Sequence, residues 1–269
     1  MFQALLKDRE LNLFLFLIVA VNTAFIAGLQ SGLLPGFLYN KGRFLLLGAV
    51  LVAIVFAFRR WEGIVELIRP LTVWRINPLW LLLALLWPPA TCVVTLLLKG
   101  LGNGDLFGAL VVDFSTVTQP AVFIPIALGA FIGEIVWVSY AIGRLQKTTG
   151  VPLATQIVGV FWTLWWLPIV IINIGVIPDL PLDALLVNML GVAAMCGFIY
   201  AHTKSGLAVL TLQLSLNSSL LIFPVVPDSG GVVTYWLFAI VYFAAVFMLY
   251  TAFGPPIRLP GAGNEDKRT

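Results

Sequence analysis

One ionisable side chain, Glu134, lies deep inside an apolar stretch of this sequence. Its neighbours in residues 131–137 are Phe, Ile, Gly, Ile, Val and Trp, so its carboxyl group cannot extend to water at the end of the stretch. A carboxyl group inside a membrane must be protonated, face a polar cavity or accept hydrogen bonds from neighbouring helices. Such residues are expensive to bury, so Glu134 is the first candidate for a functional residue.

Polar partners for Glu134 are concentrated in one later apolar stretch. Gln213 and Asn217 are four residues apart and therefore share one face of a helix. The same stretch contains Thr211, Ser215, Ser218 and Ser219, and other candidates are Gln156, Thr163, Asn173 and Asn188. We expect this helix to line the interior, with Glu134, Gln213 and Asn217 meeting at the centre. The alternative is structural, because buried amide and carboxyl groups also fix helix packing.

The composition identifies the elements that must position these residues. The chain has 269 residues, of which 61% are hydrophobic and 10% charged. A soluble domain has roughly 45–50% apolar and about 25% charged residues, so a single water-soluble domain is excluded. A membrane-spanning helix needs about 20 apolar residues, and eight such helices would account for the apolar content. The basic residues are spread over the loops, so no nucleic-acid-binding surface is predicted.

The apolar stretches predict eight spans with short loops. They cover residues 11–34, 42–58, 79–98, 121–145, 152–173, 181–201, 205–226 and 232–253. Of the 15 basic residues, all but Lys41, Arg43 and Lys99 fall on the side of the N-terminus. Basic loops face the cytoplasm. We therefore expect a multi-pass protein of the cell (inner or plasma) membrane with both termini cytoplasmic. Its parts would be an N-terminal segment 1–10, a membrane domain 11–254 and a tail 255–269.

One connecting segment, about residues 59–77, is predicted to form an interfacial helix. Trp61, Ile64, Val65 and Ile68 fall on one helical face, with charged residues between them. Tryptophan is enriched where membranes meet water, so this face would lie on the membrane surface. The alternative is a short solvated connector.

Other residues that often mark functional sites are explained by packing. Cys92 and Cys196 lie in apolar stretches, so we expect both to be small buried side chains; the alternative is a disulfide. Gly129 and Gly133 form a small-residue pair typical of close helix contacts. His202 is the only histidine, and one histidine without partners makes a poor metal site. No metal and no cofactor are expected.

From about residue 66 to 224, the sequence resembles the CAAX-protease and bacteriocin-processing family of intramembrane proteases. Residues 65–71 and 74–80 resemble the family's basic linker and the start of its next helix. Residues 133–139 (GEIVWVS), followed by RLQ at 144–146, resemble the first catalytic motif, EExxWRG. Residues 162–168 (WTLWWLP) resemble WGLWHLP. Residues 202–205 and 213–217 resemble the last motif, an RTxS start followed by HxxxN.

The resemblance implies an all-α membrane protein, an eight-helix transmembrane bundle of the CAAX-protease type with its core at about 121–226. In that family, glutamates and histidines activate a water and an asparagine helps to hold the oxyanion. In this chain Glu134 and Asn217 remain from that set, whereas Gly133, Val138, Trp166 and Gln213 replace a glutamate, an arginine and two histidines. An indole and an amide cannot serve as general bases, so the resemblance implies degenerate catalytic motifs.

Three functional classes follow from these observations. The leading expectation is a pseudoenzyme, a non-enzymatic scaffold or binding subunit for another integral membrane protein, a lipid or a lipid-modified chain. The alternative is an active intramembrane endopeptidase that uses Glu134 and Asn217. A transporter is disfavoured because the first four spans do not repeat in the last four, as they often do in transporters. The partner and the oligomeric state stay open.

Overall fold

The structure is a computed structural model that describes residues 8–174 and 177–254, apart from the side chains of residues 40 and 41. In this part the chain is helical: α1 Arg9–Gln30, α2 Leu38–Ile68, α3 Pro78–Gly102, α4 Pro120–Gly133, a π-helix Glu134–Ile142, α5 Gly143–Thr149, α6 Val151–Ile172, α7 Leu182–Thr203, α8 Gly206–Ile222, the single turn α9 Pro227–Gly230, and α10 Val232–Phe253. The predicted tail 255–269 and residues 1–7 lie outside the described residues.

Among the described residues, eight helical stretches are long and apolar enough to cross a membrane, which confirms the predicted number of spans. The chain is therefore a multi-pass membrane protein. The π-helix and α5 continue α4 into one fourth span, Pro120–Thr149. We call the end of the bundle at which α1 begins the N-terminal end, and the other the opposite end.

The observed helix ends differ from the predicted ones where local chemistry stops the helix. The first span ends at Gln30 rather than residue 34, because Gly32 has a φ of 75° and the chain turns there. The seventh ends at Ile222, two residues before Pro224, and proline disfavours helical backbone in the residue before it.

Helix α7 forms the centre of the bundle. In its most apolar window 78% of the residues are buried, against 28–39% for the other spans. Small side chains make this burial possible, since they let neighbouring backbones approach closely. A Cβ atom added at Gly197 would collide with the Thr155 methyl group of α6. Asn188, a polar residue of α7, is accordingly buried.

The backbone of α2 breaks at Arg60, which has a φ of 55° and a ψ of −148°. The helical segment beyond it ends in a 3₁₀ turn, Arg69–Thr72. Gly63 and the buried Leu67 face the protein, and an added Cβ at Gly63 would lie 2.7 Å from Val55. Trp61 and Val65 are exposed on the other side. A separate helix therefore exists where the interfacial helix was predicted, and its location in a membrane surface stays a prediction.

Helix α8 contacts α3 where two prolines interrupt the backbone hydrogen bonds of that helix. Pro89 has no N–H group to donate to the Leu85 carbonyl four residues earlier. The Ser215 hydroxyl of α8 donates to that carbonyl at 2.6 Å. Gln213, Ser215 and Ser219 are all buried, which confirms that this helix lines the interior.

The remaining packing residues behave as small buried side chains. Cys92 and Cys196 are both free and buried, so the disulfide alternative is wrong. Gly129 accommodates the ring of Phe44 from α2, since an added Cβ would lie 3.2 Å from it. Its partner Gly133 accommodates a side chain from a different helix. The two glycines therefore receive single side chains, each from another helix.

Candidate functional site

Glu134 begins a π-helix of nine residues, Glu134–Ile142, in the middle of the fourth span. Most π-helices are single turns, and they occur frequently at functional sites. The wider turn places residues five apart on the same side of the helix. As a result the Ser139 hydroxyl donates a hydrogen bond to Glu134 Oε1. Ser139 is a site residue that the sequence did not indicate, because in an α-helix these two side chains would diverge.

The carboxyl group of Glu134 is fully buried and lies against the start of α8. A Cβ atom added at Gly206 would be only 2.7 Å from Glu134 Oε1, so the bare glycine is needed for this approach. The first N–H groups of a helix carry partial positive charge, which favours a carboxylate there. Glu134 Oε2 has no hydrogen-bond partner among the described residues.

The predicted partners of Glu134 are on α8, but they lie further along it than Gly206, where the Glu134 carboxyl group contacts this helix. Gln213 is buried, and its Oε1 would be 2.9 Å from a Cβ added at Gly133. Asn217 is half-buried, and eleven residues beyond Gly206 it is displaced by about 16 Å along the helix. Among the described hydrogen bonds none joins Glu134 to Gln213 or Asn217. The structure brings Gly133 and Gln213 together but leaves Asn217 at another level.

The other two degenerate positions, Val138 and Trp166, lie in apolar surroundings. Val138 is fully buried in the core. Trp166 lies near the opposite end of the bundle, where its ring centre is 6.3 Å from that of Phe44 and 5.3 Å from that of Trp165. Of the polar candidates on α6, Thr163 donates to the Gly159 carbonyl of its own helix.

A second buried charge accompanies this aromatic group, and the sequence analysis counted it among the basic residues of the external side. Arg43 is 1% exposed and is the second residue of the second span, which begins at Gly42. Its guanidinium carbon is 4.0 Å from the ring centre of Trp165 and 4.8 Å from that of Trp166. Arg43 is thus a buried charge at the edge of a span, and the sequence did not indicate its burial. The residues directly before Arg43 are typical of loops, so its position in the sequence indicated the boundary between a loop and a span.

A polar cleft of about 1430 Å³ opens at the N-terminal end of the bundle. Its lining includes Ser139, Tyr140 and Tyr200 together with five basic residues, Arg59, Arg69, Arg144, Lys147 and Lys204. Ser139 thus forms part of the wall of the cleft and also binds Glu134. The carboxyl group lies one side chain behind the cleft.

Ion pairs close one side of this cleft and anchor the start of α1. Arg144 donates to both Asp8 oxygens, at 2.8 and 2.9 Å, and lies 3.1 Å from Glu10. Glu10 also pairs with Arg59 at 3.1 Å and accepts from the Tyr140 hydroxyl at 3.2 Å. Arg144 belongs to the RLQ segment, so that segment holds the first helix against the fourth span.

The balance of contacts keeps Asp8 ionised. Burial raises the pKa of Asp8, but the Arg144 hydrogen bond, the Leu11 backbone N–H and the charge of Arg144 together outweigh it. The pKa of Asp8 therefore lies below its ordinary value of 3.8.

The remaining sequence candidate, His202, lines the cleft but is held in a packing role. Its Nδ1 lies 2.8 Å from the Phe198 carbonyl oxygen, and its ring stacks on Trp80 at 4.8 Å between centres. Within residues 8–174 and 177–254, no three His, Cys, Asp or Glu side chains are grouped so that they could hold a metal ion.

These features define a polytopic helical membrane protein with a buried acid behind a basic cleft. No family model matches this chain, and no characterised protein matches it either. The family resemblance therefore rests on the motifs at residues 133–146, 162–168 and 202–217. Membership of that family stays a hypothesis.

Proposed function

We propose that this protein is a catalytically degenerate member of the CAAX-protease and bacteriocin-processing type. It would act as a non-enzymatic membrane subunit that binds another membrane protein or a lipid-modified chain at the cleft. With both termini in the cytoplasm, as the basic residues predict, the cleft would open to the cytoplasm.

The observation that carries the non-enzymatic half of the proposal is the environment of Glu134. Hydrolysis of a peptide bond needs a base, a positioned water and a stabiliser for the oxyanion. The one hydrogen bond that Glu134 accepts from a described side chain comes from Ser139. Gln213 is close but cannot titrate, and Asn217 is at another level of α8. The buried carboxyl group therefore lacks the second proton-handling group that the family mechanism uses.

The charge and shape of the cleft support the second part of the proposal, that a partner binds there. Two of its basic residues, Arg59 and Arg144, are neutralised by Asp8, Glu10 and Glu66. Arg69 and Lys147 form no ion pair with a described carboxylate, so they remain able to attract an acidic segment. The exposed apolar side chains of Trp61, Val65 and Ile68 belong to the helical segment that ends at Ile68, directly before Arg69.

A lipid-modified chain offers both chemistries, since it carries an apolar tail next to a polar peptide. The apolar face of this helix would receive the tail, and the basic cleft would receive the peptide and its carboxylate. Burial of the tail would supply most of the affinity, at about 0.8 kcal/mol for each buried CH₂ group.

The second candidate is an active endopeptidase, and it rests on Glu134 itself. A buried carboxyl group in a π-helix, reached from a polar cleft through Ser139, is what a general base in a membrane would need. In that case Asn217 would have to approach the reacting group in the substrate complex.

One experiment separates the two candidates. The purified full chain is incubated with a farnesylated peptide that carries a photoreactive group and a terminal fluorophore. The binding proposal expects saturable cross-linking without cleavage, weakened about tenfold or more by Arg69→Glu. The matched control is Arg75→Glu, because Arg75 is also basic but stacks on Trp74 outside the cleft.

Each other outcome contradicts the proposal. Absence of saturable cross-linking, or equal loss in both charge-reversal variants, would refute binding at the cleft. Peptide cleavage that disappears in a folded Glu134→Gln variant would replace the scaffold by the endopeptidase.

A further inference from the structure

Four side chains near the opposite end of the bundle form what we call the Arg43 cage: Asn22, Arg43, Trp165 and Trp166. The guanidinium group stacks over both indole rings. Arg43 Nε donates to Asn22 Oδ1 at 3.4 Å, and Asn22 Nδ2 donates to the Trp165 carbonyl at 2.8 Å. Asn22 therefore ties α1 to α2 and α6 and fixes the orientation of the guanidinium.

The cage contains an excess of hydrogen-bond donors. Arg43 Nη2, Trp165 Nε1 and Trp166 Nε1 are all buried, and none has an acceptor among the described residues. Arginine and tryptophan side chains can only donate, so these groups cannot satisfy one another. A buried donor without an acceptor loses the hydrogen bonds that it made to water, and the loss is larger when the donor is charged. Two indole N–H groups beside a guanidinium with an unpaired N–H of its own point to an acceptor that the described residues do not supply.

The charge of the cage leads to the same conclusion. Every ion pair between described residues lies at the N-terminal end of the bundle, and none includes Arg43. Arg43 is the second residue of the second span, which begins at Gly42, and it is 1% exposed. Contacts with aromatic faces recover only part of the cost of burying a cation, and no described carboxylate supplies the rest.

We propose that the Arg43 cage binds a single small monovalent anion of the halide class, such as chloride. One negative charge balances the guanidinium, and a spherical ion accepts hydrogen bonds from any direction. It therefore suits three donors on two different side-chain types better than a planar carboxylate does. The full burial of the donor atoms also requires a small occupant. The cage lies at the opposite end from the cleft, so this inference is independent of the proposed binding function.

Thermal unfolding of the purified full chain in mild detergent tests the site. Sodium chloride or bromide is titrated against sodium gluconate at constant ionic strength, because gluconate is too large for the cage. A bound halide raises the unfolding midpoint by about 3–6 °C at ten times its Kd, and the midpoint continues to rise with the logarithm of the halide concentration. In bromide-soaked crystals an anomalous peak is expected within hydrogen-bond distance of Arg43 Nη2.

Matched variants make the test specific. Trp166→Phe keeps a ring beneath the guanidinium but removes one donor, and it should weaken halide binding several-fold. Trp87→Phe is the control, because Trp87 also has a buried indole N–H but packs against Tyr242 away from Arg43. Arg43→Met should abolish the halide dependence. If that variant does not fold, Trp166→Phe still decides the outcome.

The inference is overturned by equal midpoints in chloride and gluconate. It is also overturned by a halide effect of the same size in Trp166→Phe and Trp87→Phe, which would show a site elsewhere.

Discussion

The hydroxyl group of Ser139 donates a hydrogen bond to the carboxyl group of Glu134 across one turn of a π-helix. In an α-helix, residues five apart point about 140° away from each other, so this contact exists only because the turn is widened. The contact gives a buried carboxyl group one donor and connects it with the wall of the polar cleft. Local backbone geometry therefore determines how the one acid in the middle of the membrane domain is satisfied.

Substitutions of Glu134 separate hydrogen bonding from proton transfer. Glu134→Gln keeps the size of the side chain and still accepts from Ser139, so folding and any binding function should be retained. Glu134→Leu removes the hydrogen bond from Ser139 and should lower stability by about 0.5–1.5 kcal/mol. Chemical or thermal unfolding in detergent measures the difference. Glu62→Gln, on an exposed carboxylate, is the control; equal stability of the Gln and Leu variants at position 134 would contradict this account.

The number of spans could be predicted from the sequence, because eight apolar stretches separated by polar loops leave little choice in a membrane. The burial of Glu134 and Gln213 follows from the same argument. Ser139 could not be identified as a partner, since nothing in residues 134–142 signals a π-helix. The burial of Arg43 could not be predicted for a related reason: a cation at the edge of an apolar stretch looks exposed until tertiary contacts enclose it.

Ser215→Ala tests whether the Ser215 hydroxyl group replaces a missing backbone hydrogen bond in α3. The variant removes the donor to the Leu85 carbonyl, to which Pro89 cannot donate because it has no N–H group. Hydrogen bonds between membrane helices average about 0.6 kcal/mol, but an unsatisfied buried carbonyl raises the cost to about 1 kcal/mol or more. Ser218→Ala on the same helix is the control, because Ser218 is less buried and donates no described hydrogen bond. Unfolding midpoints of the two variants should differ, and equal midpoints would refute this role.

Gly197→Ala tests the close approach of α6 and α7. The new methyl group would collide with that of Thr155, so the two helices must separate or shift. Overpacking of a well-packed interior typically costs about 1–3 kcal/mol. Gly36→Ala adds the same atom where nothing lies within 4 Å and should be nearly neutral. Comparable destabilisation by both substitutions, measured by thermal unfolding in detergent, would contradict the packing argument.

Asp8→Asn tests the ion pair that anchors α1. Asparagine also caps helices well, so the hydrogen bond from the Leu11 backbone should survive while the charge is lost. The folded-state pKa of Asp8 lies below its ordinary value of 3.8, so its ion pair stabilises the protein above that pH. The difference between wild type and variant should be constant near neutral pH, at about 1 kcal/mol or less, and shrink as the pH falls through the lowered pKa. Unfolding measured as a function of pH checks this; a difference that grows on acidification would refute it.

Cysteine accessibility tests the orientation that the basic residues predict. The basic residues of the predicted external side are Lys41, Arg43 and Lys99, of which Arg43 is buried and Lys99 donates to the Gly230 carbonyl at 3.0 Å. Basic residues near the ends of the spans favour the cytoplasmic side, where all the others are predicted to lie. Gly102→Cys places a thiol at the exposed end of α3, where an added Cβ has nothing within 4 Å. A membrane-impermeant maleimide should label it in intact cells. Thr148→Cys, exposed at the N-terminal end, should react only after permeabilisation.

The native thiols of Cys92 and Cys196 are buried and should remain unlabelled in both cases. Labelling of Thr148→Cys but not Gly102→Cys in intact cells would reverse the orientation, and with it the compartment to which the basic cleft opens.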